Sequence, residues 1–368
     1  MKYDQLDTPS LLIDREILTD NLKFMQAYAD RSHVALRPHT KTHKMPHIAN
    51  MQLEMGAKGI TVAKIGEAEV MAENGINDIF IANEIIGDQK FQRIVRLSET
   101  IDVSFGVDTP CQVEAAERIF AAAGKNAQVL IEIEVGEKRS GIIEETDFIQ
   151  LLEAIKSSPH VHFKGLFSHD GHSYSAASIE ECCRISMEAQ RRTLHFAEIA
   201  REQGMNPEVV SIGSTPPQMN QCQILPGITE IRPGTYALMD ASQGNAIGSH
   251  QRCAATVLAS VISRPTSERV ILDVGAKGIT KQERTAGICA VQGKGLIVEY
   301  PGVFIHDVYD EHAIIYHQDF REKVKVGEKV RIIPVHICPV CNLYDSAVLV
   351  SGEEVIEEIP ILCRGKLQ

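Results

Sequence analysis

A short polar segment near the amino terminus carries residue types that could do covalent chemistry. The apolar run Val34-Ala35-Leu36 is followed by Arg37-Pro38-His39-Thr40-Lys41-Thr42-His43-Lys44. A strand holds the loop that follows it, so a lysine there can present its amine to a ligand from a rigid backbone. Such an amine can form an imine with a carbonyl compound. The alternative is a solvated basic loop, which is how most basic runs are found.

A second candidate site lies at His336-Ile337-Cys338. Residues i and i+2 of a strand share a face, so we expect His336 and Cys338 to bind one metal ion together. Zinc is favoured for this ligand pair, with manganese as the alternative. Two protein ligands leave positions open for water or substrate, as a catalytic metal requires. Cys338 and Cys341 also form a CxxC, so a redox or structural zinc role is an alternative, although no second CxxC is present.

The elements that must position these residues fall into two regions. Up to about residue 245, short β-branched runs alternate with helical patterns, and eight strands can be counted from Val34. This periodicity predicts a TIM (β/α)8 barrel over residues 8–245, since the competing doubly wound sheet usually stops at five or six strands. From about Cys253 the strands are separated by turns without a convincing helix. We therefore expect an antiparallel β domain over residues 246–368, which residues 1–7 could join.

Polar residues at the ends of the barrel strands could bind the rest of a cofactor. Arg139 follows the fifth strand on a glycine-flanked loop, and Gly213-Ser214-Thr215 follows the seventh. Backbone N–H groups and hydroxyls in such a loop suit a phosphate, although Gly-Ser-Thr is also a common turn. With Lys41, this pattern indicates a phosphate-bearing aldehyde cofactor held as an imine. Further polar residues follow the sixth and eighth strands: His169, His172, Tyr174 and Tyr236.

Composition excludes several classes of protein. The formal net charge of -12 argues against nucleic acid and against a membrane surface as partner. No apolar run is long enough to span a membrane, and no signal peptide is evident, so we expect a cytoplasmic location. The nine scattered cysteines favour reduced thiols over a disulfide framework.

Taken in order, these motifs resemble those of the D-threonine aldolase and D-serine dehydratase family. The resemblance covers nearly the whole chain and rests on residues 37–44, 134–141, 211–216, 230–236 and 334–338. It implies the alanine-racemase-like fold, in which an N-terminal barrel binds pyridoxal 5'-phosphate (PLP) and a C-terminal β domain follows. It also implies a homodimer.

The resemblance assigns roles by position. Lys41 would be the Schiff-base lysine, and the cations Arg37 and Lys44 would favour its neutral amine by lowering its pKa. Arg139 would lie near the phenolic oxygen of PLP, and Cys341 would be a bystander. Four residues would hold the phosphate: Gly213, Ser214, Thr215 and Tyr236. The metal ligands would be His336 and Cys338.

The resemblance also implies an activity. The His-x-Cys pair is typical of the family's dehydratases, whereas its D-threonine aldolases and hydroxyaspartate aldolases usually carry His-x-Asp. We therefore expect a PLP- and metal-dependent lyase acting on D-3-hydroxy amino acids, favoured as a dehydratase of the D-serine or D-threo-3-hydroxyaspartate type. Lys41 would remove the α-proton, and the metal would stabilise the departing hydroxide.

Three alternatives stay open. Retro-aldol cleavage to glycine and an aldehyde is close behind and needs a base, for which His169, His172 and His312 are candidates. A histidine in such a position is more often only a hydrogen-bonded polar residue. Tyr174 would orient substrate or cofactor. A metal-free amino-acid racemase on the same fold would keep its activity after chelation. A non-catalytic PLP carrier would bind the cofactor without turnover, although such carriers usually lack a second domain.

Overall fold

The computed structural model describes all 368 residues, Met1–Gln368. The chain divides into two compact units. The barrel unit comprises residues 25–41, 48–234 and 365–368, and the sheet unit comprises residues 1–24, 42–47 and 235–364. The sequence suggested a single boundary near residue 245, whereas this division falls between Gly234 and Thr235. No helix is long and apolar enough to cross a lipid bilayer.

The barrel unit contains eight parallel strands, as the periodicity predicted. They are β2 (Ala35–Leu36), β3 (Ile60–Val62), β4 (Asp78–Glu84), β5 (Asp102–Val107), β6 (Ala127–Ile133), β7 (Val161–His169), β8 (Val209–Gly213) and β9 (Glu230–Ile231). Their order in the sheet is β2-β9-β8-β7-β6-β5-β4-β3. A parallel bridge between His39 and Thr61 links the two outermost strands of this order. The eight-stranded α/β prediction is confirmed.

Helices connect most of these strands. They are α2 (Pro46–Glu54), α3 (Ile65–Glu73), α4 (Asp88–Leu97), α5 (Pro110–Ala123), α6 (Glu145–Lys156), α7 (Ile179–Glu202) and the short α8 (Pro216–Met219). The helix α1 (Arg15–Arg31) precedes the first barrel strand. Asp14 caps α1, and its carboxylate accepts the Ile17 N–H at 2.9 Å. Ser178 caps α7 by accepting the Glu181 N–H.

Inward-facing apolar side chains fill the centre of the barrel. Phe80, Leu130, Phe167 and Val209 form one buried cluster, and the rings of Phe80 and Phe167 meet edge to face at 5.0 Å. These residues come from four different strands, so their packing fixes the strand ends around them.

The sheet unit is built on nine strands. They are β1 (Ser10–Asp14), β10 (Ala255–Ser263), β11 (Arg269–Leu272), β12 (Gly295–Ile297), β13 (Asp307–Val308), β14 (Ala313–Tyr316), β15 (Lys329–Pro334), β16 (Ser346–Ser351) and β17 (Glu354–Pro360). All pairs are antiparallel except β1 with β16. The amino-terminal strand β1 also pairs with β10 from Ser10↔Leu258 to Ile13↔Ala255, so the N-terminal segment is an integral part of this sheet.

The sequence showed no convincing helix from about Cys253 onward, but three short helices occur there and a fourth precedes that region. Four short helices occur in the sheet unit: α9 (Ala241–Ala246), α10 (Ala276–Ile279), α11 (Gln318–Lys323) and α12 (Ile337–Cys341). Helices this short show no full amphipathic period, so a sequence pattern does not reveal them.

One cysteine pair departs from the reduced thiols that the scattered cysteines favoured. Cys183 on α7 forms a disulfide with Cys222, with 5.2 Å between the Cα atoms. The other seven cysteines are free. The two partners are 39 positions apart and meet only because α7 packs beside the segment after α8. Spacing along the chain gives no sign of such a pair.

Candidate active site

Lys41 lies at a cavity of about 310 Å³ inside the barrel unit. The cavity opens where the strands end, as expected for a parallel barrel. Charged groups make up much of its wall. The lining residues are His39, Lys41, Ala63, Ala82, Asn83, Glu84, Glu132, Arg139, Ser140, Phe167, His169 and Arg232.

The backbone before Lys41 is held by hydrogen bonds to β3. The Thr40 N–H donates to the Thr61 carbonyl at 2.8 Å, and the Thr61 N–H donates to the Pro38 carbonyl at 2.8 Å. The Thr40 and Thr61 hydroxyls add bonds to the Thr61 and Arg37 carbonyls. The lysine therefore extends from a backbone that is fixed on its N-terminal side.

Arg37, one of the two cations expected to influence Lys41, binds two carboxylates away from the cavity wall. Its guanidinium donates to Glu230 through Nε at 2.7 Å and to both carboxylate oxygens of Asp78 at 2.6 and 3.0 Å. It is buried at the start of β9 and β4, and it does not line the cavity. The Arg37 guanidinium also packs against the backbone of Gly59. A Cβ at that position would lie 2.5 Å from Arg37 Nη1, which explains the glycine. Arg37 therefore anchors β2 and leaves the cations of the cavity to other residues.

His169 and Arg139 share one carboxylate at the cavity. Glu137 Oε2 lies 2.9 Å from His169 Nδ1 and 3.4 Å from Arg139 Nη1. Arg139 Nη2 also donates to Glu132 at 3.3 Å. Burial lowers the pKa of His169 despite the opposing effect of Glu137, so a neutral imidazole is favoured near pH 7. Lys41, Arg139 and His169 are thus brought together as the sequence predicted.

Two glutamates in the cavity wall were missed. Burial, with the neighbouring Glu132 carboxylate, raises the pKa of Glu84 to about 9, so Glu84 is protonated at neutral pH. Glu132 keeps its charge because Glu84, Ser140 and Arg139 lower its pKa against the cost of burial. The Ser140 hydroxyl donates to Glu132 at 2.6 Å. The only sequence signal for these two glutamates is their position near strand ends. Carboxylates are so common at strand ends that this position does not identify them as site residues.

Arg232 is a third residue of the cavity wall that was missed, although it lies within one of the motifs. Its guanidinium packs over the rings of Phe80 and Phe167 at 5.8 and 5.3 Å. Its Nη2 donates to the Ser168 carbonyl at 2.8 Å, while its buried Nη1 has no hydrogen-bond partner. Burial lowers the pKa of Arg232 to about 10, so it remains a cation. A buried guanidinium edge without a partner is available to an anionic or lone-pair acceptor in the cavity.

Other predicted residues lie outside the cavity wall. His172 and Tyr174 are on the 3-10 turn Gly171–Ser175, where His172 packs so closely against Gly136 that a Cβ there would lie 2.9 Å from Nε2. His312 is exposed on the hairpin between β13 and β14. These residues do not line the cavity that holds Lys41.

The four predicted phosphate ligands fall into both units. Gly213 ends β8, and a Cβ there would meet Arg232 and His169 at 3.3 and 3.4 Å. Ser214 has a positive φ of 130°, and its buried hydroxyl has no hydrogen-bond partner. Thr215 is buried in the same loop, and Tyr236 is fully buried in the sheet unit. A strained serine with an unsatisfied buried hydroxyl fits a loop that binds a ligand.

The geometry of His336 and Cys338 differs from the predicted strand. β15 ends at Pro334, His336 is the extended N-cap residue of α12, and Cys338 lies in the first turn of that helix. The two side chains nevertheless interact. Burial opposes charge on each, yet their mutual attraction raises the pKa of His336 to about 10 and lowers that of Cys338 to about 7. A thiolate next to an imidazole is suited to zinc.

Hydroxyl groups and a carboxylate surround this pair. Cys338 Sγ lies 3.3 Å from Thr42 Oγ1 and 3.7 Å from Thr235 Oγ1. His336 Nδ1 lies 3.1 Å from Asp240 Oδ2, a residue that sequence reasoning missed. No group of three His, Cys, Asp or Glu side chains is arranged to hold an ion. Burial raises the pKa of the Cys341 thiol well above its usual value, in keeping with a bystander role.

Comparison with known proteins identifies the family. The family model described as alanine racemase, N-terminal domain, matches residues 13–242, and the putative serine dehydratase domain matches residues 254–350. A D-threonine aldolase from Arthrobacter sp is 33% identical over 366 residues, covering 98% of this chain and 93% of the relative. The chain belongs to the D-threonine aldolase and D-serine dehydratase family.

Two further relatives support this placement. A D-threo-3-hydroxyaspartate dehydratase from Delftia sp. (strain HT23) is 30% identical over 353 residues, covering 90% of this chain and 91% of the relative. A solved C-to-A mutant of a D-threo-3-hydroxyaspartate dehydratase, described as the metal-free form, superposes with a TM-score of 0.91 at 26% identity, covering 98% of this chain and 99% of that one. Aldolases and dehydratases are both lyases, and the fold of this family is the alanine-racemase-like fold.

The cavity of this chain fits PLP, the cofactor of this fold. Lys41 supplies an amine at the cavity. Arg232 Nη1 and Ser214 Oγ are buried polar atoms without a hydrogen-bond partner. Cations near the cavity suit an anionic ligand. The donor set of His336 and Cys338 likewise fits a borderline-soft divalent ion.

Proposed function

We propose that this chain is a PLP- and divalent-metal-dependent lyase that eliminates the β-hydroxyl of D-3-hydroxy amino acids such as D-serine and D-threo-3-hydroxyaspartate. The observation that carries the proposal is the amine of Lys41 at a buried, cation-rich cavity in a chain that also carries the His336–Cys338 pair. Zinc is the favoured ion because a thiolate and an imidazole are its usual ligands.

Lys41 would hold the cofactor covalently and, once displaced by the substrate amine, would act as the base at the substrate Cα. Bound PLP supplies an electron sink for the negative charge at that carbon. Arg139, held by Glu132 and Glu137, would contact the phenolic oxygen of the cofactor. Gly213, Ser214, Thr215 and Tyr236 would hold the phosphate.

His336 and Cys338 would hold an ion that takes the leaving hydroxyl as a Lewis acid. Loss of the Cα proton and the β-hydroxide amounts to loss of water from the substrate. The enamine that leaves takes up a proton at the β-carbon and is hydrolysed, so the net products are a 2-oxo acid and ammonia. Proton transfer to the departing oxygen would fall to His169, which lines the cavity. The roles predicted for His172 and Tyr174 would need these residues to act from outside the cavity wall.

A second candidate function is retro-aldol cleavage to glycine and an aldehyde. It is favoured by the 33% identity to a D-threonine aldolase, against 30% to the dehydratase. The same residues serve both reactions, because each needs an electron sink at Cα and an ion at the β-oxygen. We also propose that the protein is a homodimer, which light scattering on the purified protein would test.

The test supplies PLP and Zn²⁺ to the purified protein and follows ammonia and glycine with D-serine, D-threonine and D-threo-3-hydroxyaspartate. Ammonia with a 2-oxo acid supports elimination, and glycine with an aldehyde supports the aldolase. Formation of ammonia or glycine that survives EDTA would overturn the metal-dependent assignment. EDTA-resistant conversion of the D- to the L-amino acid, without either product, would favour a racemase. Cys338→Ala should lose metal and activity, whereas the control Cys341→Ala, in the same CxxC, should keep both.

A further inference from the structure

Asp240 is a fully buried residue, and both oxygens of its carboxylate have hydrogen-bond partners. Its Oδ1 accepts the Gln243 N–H and the Ser242 hydroxyl, both at 2.8 Å. Its Oδ2 accepts the Ile337 N–H at 3.1 Å and lies 3.1 Å from His336 Nδ1. Its exposed fraction is 0%.

The two carboxylate oxygens of Asp240 therefore contact different parts of the structure. Oδ1 caps α9, which is the ordinary work of an aspartate at a helix start. A serine or asparagine could do that equally well. Oδ2 instead faces the start of α12, where it receives a backbone N–H and an imidazole nitrogen of a residue 96 positions away. Only a carboxylate accepts on both oxygens without presenting a donor.

We propose that Asp240 positions His336 for metal binding by keeping its Nδ1 protonated, so that the ion binds through Nε2. This inference rests on the metal site proposed above. A neutral imidazole carries one N–H, and a hydrogen bond from Nδ1 to a carboxylate fixes which nitrogen keeps its lone pair. Carboxylates behind metal-binding histidines also restrict the ring orientation and make the free nitrogen a better ligand.

The substitution Asp240→Asn separates the roles of the two oxygens. The asparagine oxygen can still accept from Gln243 and Ser242, so the α9 cap survives. Its amide N–H₂ would then face His336 Nδ1 and the Ile337 N–H. This arrangement favours the imidazole form with its proton on Nε2, which removes the ligand lone pair.

The measurement is a Co²⁺ titration followed by the thiolate-to-cobalt charge-transfer absorption of Cys338, with Zn²⁺ affinity obtained by competition. We expect Asp240→Asn to weaken metal binding roughly 10- to 100-fold. Two controls should bind as the wild type does. Asp14→Asn makes the same change at the cap of α1, and Ser242→Ala removes one partner of Asp240 Oδ1 while leaving Oδ2 in place.

A second measurement does not depend on a variant folding. In zinc-loaded wild-type protein labelled with ¹⁵N-histidine, the His336 ring should show a proton on Nδ1 and the metal on Nε2, assigned by comparison with His336→Ala. Metal on Nδ1 would overturn the inference. So would equal losses of affinity in Asp240→Asn and Asp14→Asn, since these would reflect general destabilisation.

The outcomes also separate this inference from the proposed function. If wild-type protein binds neither Co²⁺ nor Zn²⁺, the metal-dependent function and the role of Asp240 both fail. If wild-type protein binds metal and Asp240→Asn binds it equally well, the proposed function stands and the role of Asp240 alone is refuted.

Discussion

Replacing Arg37 by alanine tests whether a buried ion network holds the strand that carries Lys41. Arg37 bridges Asp78 and Glu230, and the side chains of Arg37 and Glu230 are 4% and 2% exposed. Removing one partner of a buried ion pair commonly costs about 3–5 kcal/mol, because the other charge is left uncompensated. Asp78 is 26% exposed and can rehydrate, so the loss falls mainly on Glu230.

We therefore place the cost of Arg37→Ala at the low end, about 3 kcal/mol. At 1.4 kcal/mol per tenfold, this raises the local opening equilibrium of β2 roughly 100-fold. Hydrogen exchange of peptides covering residues 33–41 measures that opening directly. The chain has no tryptophan, so exchange is also preferable to tryptophan fluorescence.

Arg118→Ala is the matched control. Arg118 makes a bidentate contact with Asp88 at 2.6 and 3.1 Å, but the two side chains are 59% and 54% exposed. Exposed pairs contribute only about 0–1 kcal/mol. If exchange in residues 33–41 is no faster in Arg37→Ala than in Arg118→Ala, the anchoring role of Arg37 is wrong.

Acid should reduce the effect of Arg37→Ala. Burial raises the pKa of Glu230, but Arg37 outweighs it and holds that pKa below its usual value. The stability that comes from this pairing is present at neutral pH and is lost as the pH falls through the lowered pKa. Without Arg37 the buried carboxyl can protonate more easily. The difference in stability between the wild type and Arg37→Ala should therefore become smaller towards low pH.

Three further outcomes are expected. Lys41→Ala should abolish the borohydride-stable attachment of PLP and reduce activity by several orders of magnitude, which mass spectrometry of the reduced peptide and turnover assays would check. Glu84→Gln should stabilise the protein relative to the wild type, increasingly as the pH rises from about 5 to 9. Folding holds the pKa of Glu84 at about 9, so the wild type loses stability over this range as Glu84 ionises in the unfolded state first, whereas the glutamine variant does not. Urea unfolding across this pH range tests the trend. Reducing the Cys183–Cys222 disulfide, which spans 39 positions, should lower stability by up to about 4 kcal/mol on the loop-entropy model, and the Cys183→Ser variant should then be insensitive to reductant.

The barrel could be predicted from sequence because its signal is local and repeated. Each strand and most helices are continuous in the chain, so eight repetitions reinforce one another even where a single run is ambiguous. Lys41, Arg139 and His169 follow from the same rule, since the ends of parallel strands meet at one face. The residues missed there, Glu84, Glu132 and Arg232, differ from ordinary polar residues only through burial, which depends on the assembled fold.

The metal pair shows why spacing alone is insufficient. Residues i and i+2 share a face on a strand, but His336 and Cys338 adopt an extended residue followed by a helical turn. Asp240 stabilises that turn by accepting the Ile337 N–H. The decisive partner is 96 residues away, so a local pattern can identify the two ligand types without giving their backbone conformation.

The partners of Arg37 are also distant in sequence. Arg37 lies four residues from Lys41, which suggested that the two cations influence each other. Both residues follow β2, which ends at Leu36, so their separation along the chain does not show which partners each side chain will find. Asp78 and Glu230 begin β4 and β9, which places Arg37 at the amino ends of the strands while Lys41 follows the carboxyl end of β2.

The charge balance of the cavity connects these observations to its ligand. Arg139 and Arg232 bring two guanidinium cations to the wall, and Glu132 brings one carboxylate. Glu84 would cancel a second positive charge if it were ionised, but burial beside Glu132 keeps it protonated at neutral pH. The wall therefore keeps an excess of positive charge, which attracts a phosphate-bearing cofactor and the carboxylate of an amino acid. The same reasoning explains why Glu84→Gln, which preserves this balance, should leave PLP binding intact while Arg232→Ala should weaken it.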